Sequence, residues 1–234
     1  MNELLALLTS IDPLELWGIV WLSLKVSGGA LLLATALALP LAGLLALKPF
    51  PLRGAVVNVL HTCMGLPPVV VGLLVYLLLS RQGILGFLSL LYTPTAMVLA
   101  QTILALPIVA SLAHAAIVGV DPVIRQAAIT LGATPRQQAV AVIKEARYGI
   151  IAGVMAGLGR AIAEVGAVII VGGNIAGYTR VMTTTIALET DKGNFQLAIV
   201  LGVILLAIAL MLNIALRLLQ KLGRGAVVAQ ASGL

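Results

Sequence analysis

Charge is scarce in this chain. Of 234 residues, 9% are Asp, Glu, Lys or Arg and 61% are apolar, whereas soluble domains carry about 25% and 45–50%. So little charge cannot coat a water-facing surface, and lipid must solvate most of the molecule. Cysteine is scarcer still: Cys63 stands alone, so an intrachain disulfide is excluded. No Gly-x-x-x-x-Gly-Lys-Ser/Thr phosphate loop occurs, so any ATP chemistry must come from a partner. Gly-x-Ser-x-Gly and paired-histidine motifs are missing too, which leaves an intramembrane enzyme without a nucleophile or a metal centre. His61 and His114 lie in separate apolar runs with no Cys, Asp or second His at ligand spacing. No catalytic residue, metal site or cofactor bound by this chain is therefore expected.

What is present is a set of long apolar runs. A bilayer core of about 30 Å takes on the order of 20 helical residues at about 1.5 Å each. The sequence predicts five spans, at about 26–47, 55–79, 95–119, 149–172 and 195–219. These runs are continuously apolar and about twice the length of a barrel strand, which excludes the alternating strands of a membrane β-barrel. The expected fold is all-α and integral to the membrane. It divides into an external or interfacial N-terminal segment with a helix (1–24), a transmembrane domain (25–222) and a cytoplasmic tail (223–234). The start, MNELLALLTSIDPLELW, has no basic flank of a cleavable signal and reads as part of the mature protein. Lys25 is expected at the outer interface, with Trp17 and Trp21 in the headgroup belt. GFLSLLYTP in the second outer stretch is too short to span and is expected as an interfacial turn. Pro67-Pro68 after Gly65 should bend the second span, and Pro40 and Pro107 offer similar bends in the first and third.

Lys and Arg gather in cytoplasmic loops. Lys48 and Arg53 follow the first span, Arg125, Arg136, Lys144 and Arg147 follow the third, and Arg217, Lys221 and Arg224 close the chain. The opposite side holds Arg81, Arg180 and Lys192 beside acidic Glu3, Asp12, Glu15, Glu189 and Asp191. The N-terminus is expected outside and the C-terminus in the cytoplasm.

That threading puts the polar stretch 121–147 in the cytoplasm. Asp121 before Pro122 combines an N-cap with a proline suited to the first helical position. Gly132 supplies a left-handed stop. Thr134-Pro135 restarts a helix, and Thr134 with Gln137 has capping-box spacing. Two helices should meet at a sharp corner. On the first, Ile124, Ala127, Ala128 and Leu131 share a face, small enough for another backbone to approach closely. Arg125 and Gln126 beside that face can reach polar partners. Such an apolar face marks a docking site.

Gln126-Ala127-Ala128, Gly132 and Val142 fall where the integral membrane subunits of bacterial ABC importers carry their cytoplasmic signature. The family's leading glutamate is Gln126 here, and Lys144-Glu145 stand in place of its Leu-Pro. MGLPPVVVGLLVYLLLSRQGILG, LYTPTAMVLAQTILALPIVA and MTTTIALETDKGNF are similar to the oxyanion branch of that family, most of all to its tungstate permeases, with molybdate and sulfate permeases as near relatives. The resemblance implies a type I (MetI-like) importer fold and a multi-pass subunit of the bacterial cytoplasmic (inner) membrane. It also implies a homodimer, an external oxyanion-binding protein and a cytoplasmic ATPase dimer that holds ATP-Mg. Arg125, Gln126, Ala127, Ala128, Gly132, Ala133, Thr134 and Pro135 would then form the ATPase-coupling loop. No nucleic-acid partner is expected.

Arg160 and Glu164 fall inside the fourth span, where each charge costs about 2.5–3.5 kcal/mol on insertion scales. At i, i+4 they can pair, either as a structural bond or as part of a translocation path. Thr183, Thr184 and Thr185 could offer hydroxyls to an oxyanion at an outer mouth, or cap a local turn. Gly153, Gly157 and Gly166, with Ala156, Ala161 and Ala163, give the fourth span a surface for close helix packing. A gradient-driven carrier or channel is the alternative class; Glu164 is its one intramembrane carboxylate, and no inverted repeat is visible.

Overall fold

The computed structural model describes residues 13–231, so Glu3 and Asp12 lie outside the described residues. Within that range the chain forms helices and no strand: α1 (Pro13–Leu47), α2 (Arg53–Cys63), α3 (Pro68–Leu79), α4 (Pro94–Val118), α5 (Pro122–Thr130), α6 (Pro135–Ile162), α7 (Gly166–Gly172), α8 (Met182–Asp191) and α9 (Phe195–Ala231). Three stretches, α1, α4 and Phe195–Ala215 of α9, are each long and apolar enough to cross a membrane; α2 with α3 and α6 with α7 pass the same test as bent pairs, giving up to five spans.

Two of the predicted spans therefore differ from straight helices. The run 55–79 is broken between Cys63 and Pro68. Pro67 is extended at φ −65°, ψ 124°, and Pro68 opens α3 at its first turn. Two adjacent prolines remove two successive N–H donors, which a helix cannot bridge. Single prolines are tolerated, and α1 and α4 run through Pro40 and Pro107 without interruption. The run 149–172 breaks after Ile162, with a 57° bend into α7. At the N-terminal side, α1 passes through Lys25, so no helix end marks the expected 24/25 boundary. At the other end the backbone stays helical from Phe195 to Ala231, across 222/223. GFLSLLYTP forms a 3-10 turn at Gly86–Leu88 followed by further turns, as its length required.

The chain packs as two compact units. The described part of the first comprises residues 13–33, 65–105 and 158–210. Its core holds Val71, Val75 and Leu79 of α3, Met97 and Ala100 of α4, and Ala167, Val168 and Val171 of α7. α3 and α7 pack so closely that a Cβ on Gly72 would stand 2.8 Å from the Ala167 backbone. A second cluster joins Ile19 and Val20 to Met182 and Leu201. The second unit comprises 34–64, 106–157 and the C-terminal part from 211. There Ala42, Ala113, Ile117, Val142 and Ala146 form the core. A Cβ on Gly149 would meet Ala116 Cβ at 2.6 Å, and one on Gly153 would meet Leu112 Cβ at 2.9 Å. Small residues thus set the helix spacing of α4 and α6, as expected where apolar burial drives no association in lipid. Lys48, Arg53, Arg125, Arg136, Lys144, Arg147 and Arg217 all belong to the second unit, whereas Arg81, Arg180 and Lys192 belong to the first.

Candidate functional site

Two local structures hold the residues singled out from sequence, and each lies within one unit. The first is the elbow between α4 and α6. Asp121 Oδ1 accepts the Val123 N–H at 2.9 Å, capping α5 ahead of Pro122. At the other end Gly132 has φ +76°. Gly132 N–H donates to Ile129 O and Ala133 N–H to Ala128 O, both at 2.9 Å, which is the complete Schellman pair of bonds. Thr134 N–H donates to Gln137 Oε1 at 2.7 Å and Gln137 N–H to Thr134 Oγ1 at 3.4 Å, closing the box that starts α6. Gln138 Nε2 adds a bond to Ala133 O at 2.9 Å. The corner is therefore hydrogen-bonded on both sides and rigid.

The face it presents is rotated from the expected one. Ile124 and Ala128 are half-buried, and Ile124 lines a cavity with Ala116, Val120 and Ala146. Val123, Ala127 and Leu131 share the neighbouring stripe and are exposed, Leu131 to 87%. One stripe of α5 seats the elbow on its own unit, and the next remains open. The sequence pattern could not separate them because both are apolar. Arg125, Gln126, Gly132, Thr134 and Pro135 are also exposed, and Ala133 is half-buried.

The second structure is the break between α6 and α7. Breaking a helix in an apolar setting frees carbonyls and N–H groups that lipid cannot satisfy. Here side chains from three other helices take them. Gln101 Nε2 of α4 donates to Ala161 O at 2.9 Å, Ser27 Oγ of α1 reaches the same carbonyl at 3.5 Å, and Thr183 Oγ1 of α8 donates to Glu164 O at 2.8 Å. Glu164, 2% exposed, accepts the Ala167 N–H at 3.0 Å with Oε1 and the Arg160 Nη1 donor at 2.8 Å with Oε2. Its carboxylate thus caps α7 and neutralises Arg160 at once, consistent with the preference of anions for helix N-termini. Beside these groups lies a cavity of about 10 Å³ lined by polar Ser23, Ser27, Gln101 and Thr183 and by apolar Val26, Ile162, Val181 and Met182, the space of about one water. It is too small for a tetrahedral oxyanion in this conformation.

The threonines expected at an outer mouth are buried. Thr184 Oγ1 bonds Asn174 Oδ1 at 2.9 Å and accepts the Val181 N–H at 3.2 Å, while Thr185 Oγ1 donates to Val181 O at 2.7 Å. Their hydroxyls are engaged in capping α8 and holding it to the α7–α8 connection. Nearby, Lys192 Nζ and Asn194 Nδ2 contact the two oxygens of Glu189 at 2.9 and 2.8 Å. Those bonds, the lysine's first, hold the Glu189 carboxyl below its usual range. Arg180 lies 3.7 Å from Glu15. The break and the roles of Gln101, Ser27 and Asn174 escaped sequence reading, because their signal is non-local: each is a polar residue in an apolar or loop stretch whose partner is remote in sequence.

Compared with known families, residues 38–224 match the binding-protein-dependent transport system inner membrane component. The chain belongs to this family. The permease is 47% identical over 196 residues to a probable anion ABC transporter permease protein of Haloferax volcanii, covering 82% of this chain and 84% of that one. It is 41% identical over 215 residues to the tungstate uptake system permease protein TupB of Peptoclostridium acidaminophilum, covering 92% and 94%. The crystal structure of an amino acid ABC transporter with histidines matches with a TM-score of 0.68 at 23% identity, over 89% of this chain and 94% of that chain. At that identity the likeness carries the fold alone, and the permease has the importer fold anticipated from sequence.

Proposed function

We propose that this permease forms the membrane path of an ATP-driven importer of a tetrahedral oxyanion, tungstate before molybdate or sulfate. Two copies assemble with a cytoplasmic ATPase dimer and receive the ion from an external binding protein. One observation carries the coupling: the elbow is capped at every helix end yet leaves the stripe Val123, Ala127 and Leu131 uncovered. A rigid corner with an open apolar face can transmit a push from a partner without dissipating it in its own bending. The cargo follows from likeness to the tungstate permease over nearly its whole length. The gathering of Lys48, Arg53, Arg125, Arg136, Lys144 and Arg147 in one unit supports placing the elbow in the cytoplasm, with the N-terminus outside.

Gly132→Pro, or Ala127→Trp, should abolish ATPase co-purification and uptake while the subunit still inserts. Normal co-purification with either variant would overturn the coupling role. Radiolabelled tungstate uptake in vesicles carrying permease, ATPase and binding protein should require ATP. Sulfate competing as well as tungstate would overturn the cargo assignment, and uptake by the permease alone on an ion gradient would point to a carrier.

A further inference from the structure

A groove of about 450 Å³ opens in the second unit between the end of α1 and the start of α6. From α1 it takes Pro40, Gly43, Leu44 and Leu47, and from the residue just past its end Lys48, at i, i+3, i+4, i+7 and i+8, so that they form one stripe along a membrane-spanning helix. The stripe is apolar for two turns and ends on a lysine. Ala139 and Val142 of α6 continue the apolar wall, and Arg136 and Arg125 join Lys48 at the charged end. No carboxylate lines the groove among the described residues. A cavity that is apolar along the span and triply cationic at its end has the polarity of an anionic lipid: acyl carbons along the helix, phosphate among the cations. A water-borne protein partner could use the three charges, but it would gain nothing from two apolar turns running up the span. Free phosphate would leave the same turns unfilled.

We propose that this groove is a binding site for an anionic phospholipid, with the phosphate held by Lys48, Arg125 and Arg136 and the first part of an acyl chain laid along Gly43, Leu44 and Leu47. The site is separate from the cargo question and holds whichever oxyanion is carried. The test is native mass spectrometry of the full permease–ATPase complex after equilibration with micelles containing equimolar phosphatidylglycerol and phosphatidylcholine. The complex should retain phosphatidylglycerol selectively. Lys48→Gln with Arg136→Gln should lower that retention about 25-fold, at roughly fivefold per cation. Gly43→Leu is a second, uncharged variant: a Cβ at Gly43 meets no atom within 4 Å, so the leucine fills the groove and should reduce lipid retention with the cations intact. Equal retention of both lipids by the wild type, unchanged retention in both variants, or displacement of the lipid by excess inorganic phosphate would each overturn the site. Loss of ATPase co-purification in the double variant with lipid retention unchanged would reassign the cations to a protein partner.

Discussion

Replacing Glu164 by glutamine keeps its shape and removes its charge. The glutamine carbonyl can still accept the Ala167 N–H and cap α7, but its NH₂ then faces the Arg160 guanidinium, donor against donor. Losing a charge-assisted bond costs about 1.5–3 kcal/mol, and stranding one member of a buried pair about 3–5. Arg160 is 31% exposed while Glu164 is 2% exposed, so the expected loss sits near the low end of the second range, about 3 kcal/mol. On the scale of domains this size that lowers the midpoint by about 6–12 °C, measurable by thermal denaturation of the purified complex in detergent. Arg160→Met together with Glu164→Gln removes both charges and keeps the cap, so the double variant should return to within about 1 kcal/mol of the wild type. If the pair only holds the break, uptake per assembled complex also returns. Wild-type stability for Glu164→Gln alone would refute the packing argument. A double variant that is stable but inert in uptake would instead place Arg160 and Glu164 in the translocation path.

Gly72→Ala should destabilise by about 1–3 kcal/mol through overpacking, since its Cβ would press on the Ala167 backbone; a denaturation midpoint no lower than wild type would show that α3 and α7 can move apart. Asp121→Ala removes the α5 cap and should weaken ATPase association through a helix end destabilised by about 1 kcal/mol, as read by pull-down, with insertion unaffected. Thr183→Val strands the Glu164 carbonyl and should cost about 1–3 kcal/mol, whereas Thr190→Val, at an exposed hydroxyl bonded within its own helix, should cost far less; equal midpoints would contradict the stitched break. Glu189 titrates below its usual range in the folded protein, so its contribution is complete above the ordinary carboxylate value and is lost as pH falls through the depressed one. Glu189→Gln should therefore flatten the acid limb of a midpoint-against-pH curve, and an unchanged limb would remove Glu189 as its source.

Local signals proved readable wherever cause and effect lie within a few residues. Asp121-Pro122, Gly132 and Thr134-x-x-Gln137 each specify a helix end through bonds that span two to five positions, and the structure contains those bonds. Apolar runs gave the helices for a similar reason, since length and hydropathy are local sums. The rotation of the exposed stripe on α5 was not readable, because Ile124 and Val123 are equally apolar and only packing against Val120 and Ala146 decides between them. The break after Ile162 was hidden for the opposite reason. Residues 163–165 read Ala-Glu-Val, with no proline or glycine to announce a stop.

That hidden break follows a rule set by its surroundings. In water, a helix end can give its spare carbonyls to solvent; in lipid, each must meet a protein donor. At the break those donors are Gln101, Ser27 and Thr183. An unbroken helix through 149–172 would satisfy these carbonyls itself and need none of the three. The permease keeps a half-buried arginine paired with a buried glutamate, and commits polar residues of α1, α4 and α8, to hold a 57° bend. Removing one of those donors should therefore cost more than removing a hydroxyl that bonds only within its own helix, which is the contrast Thr183→Val draws against Thr190→Val.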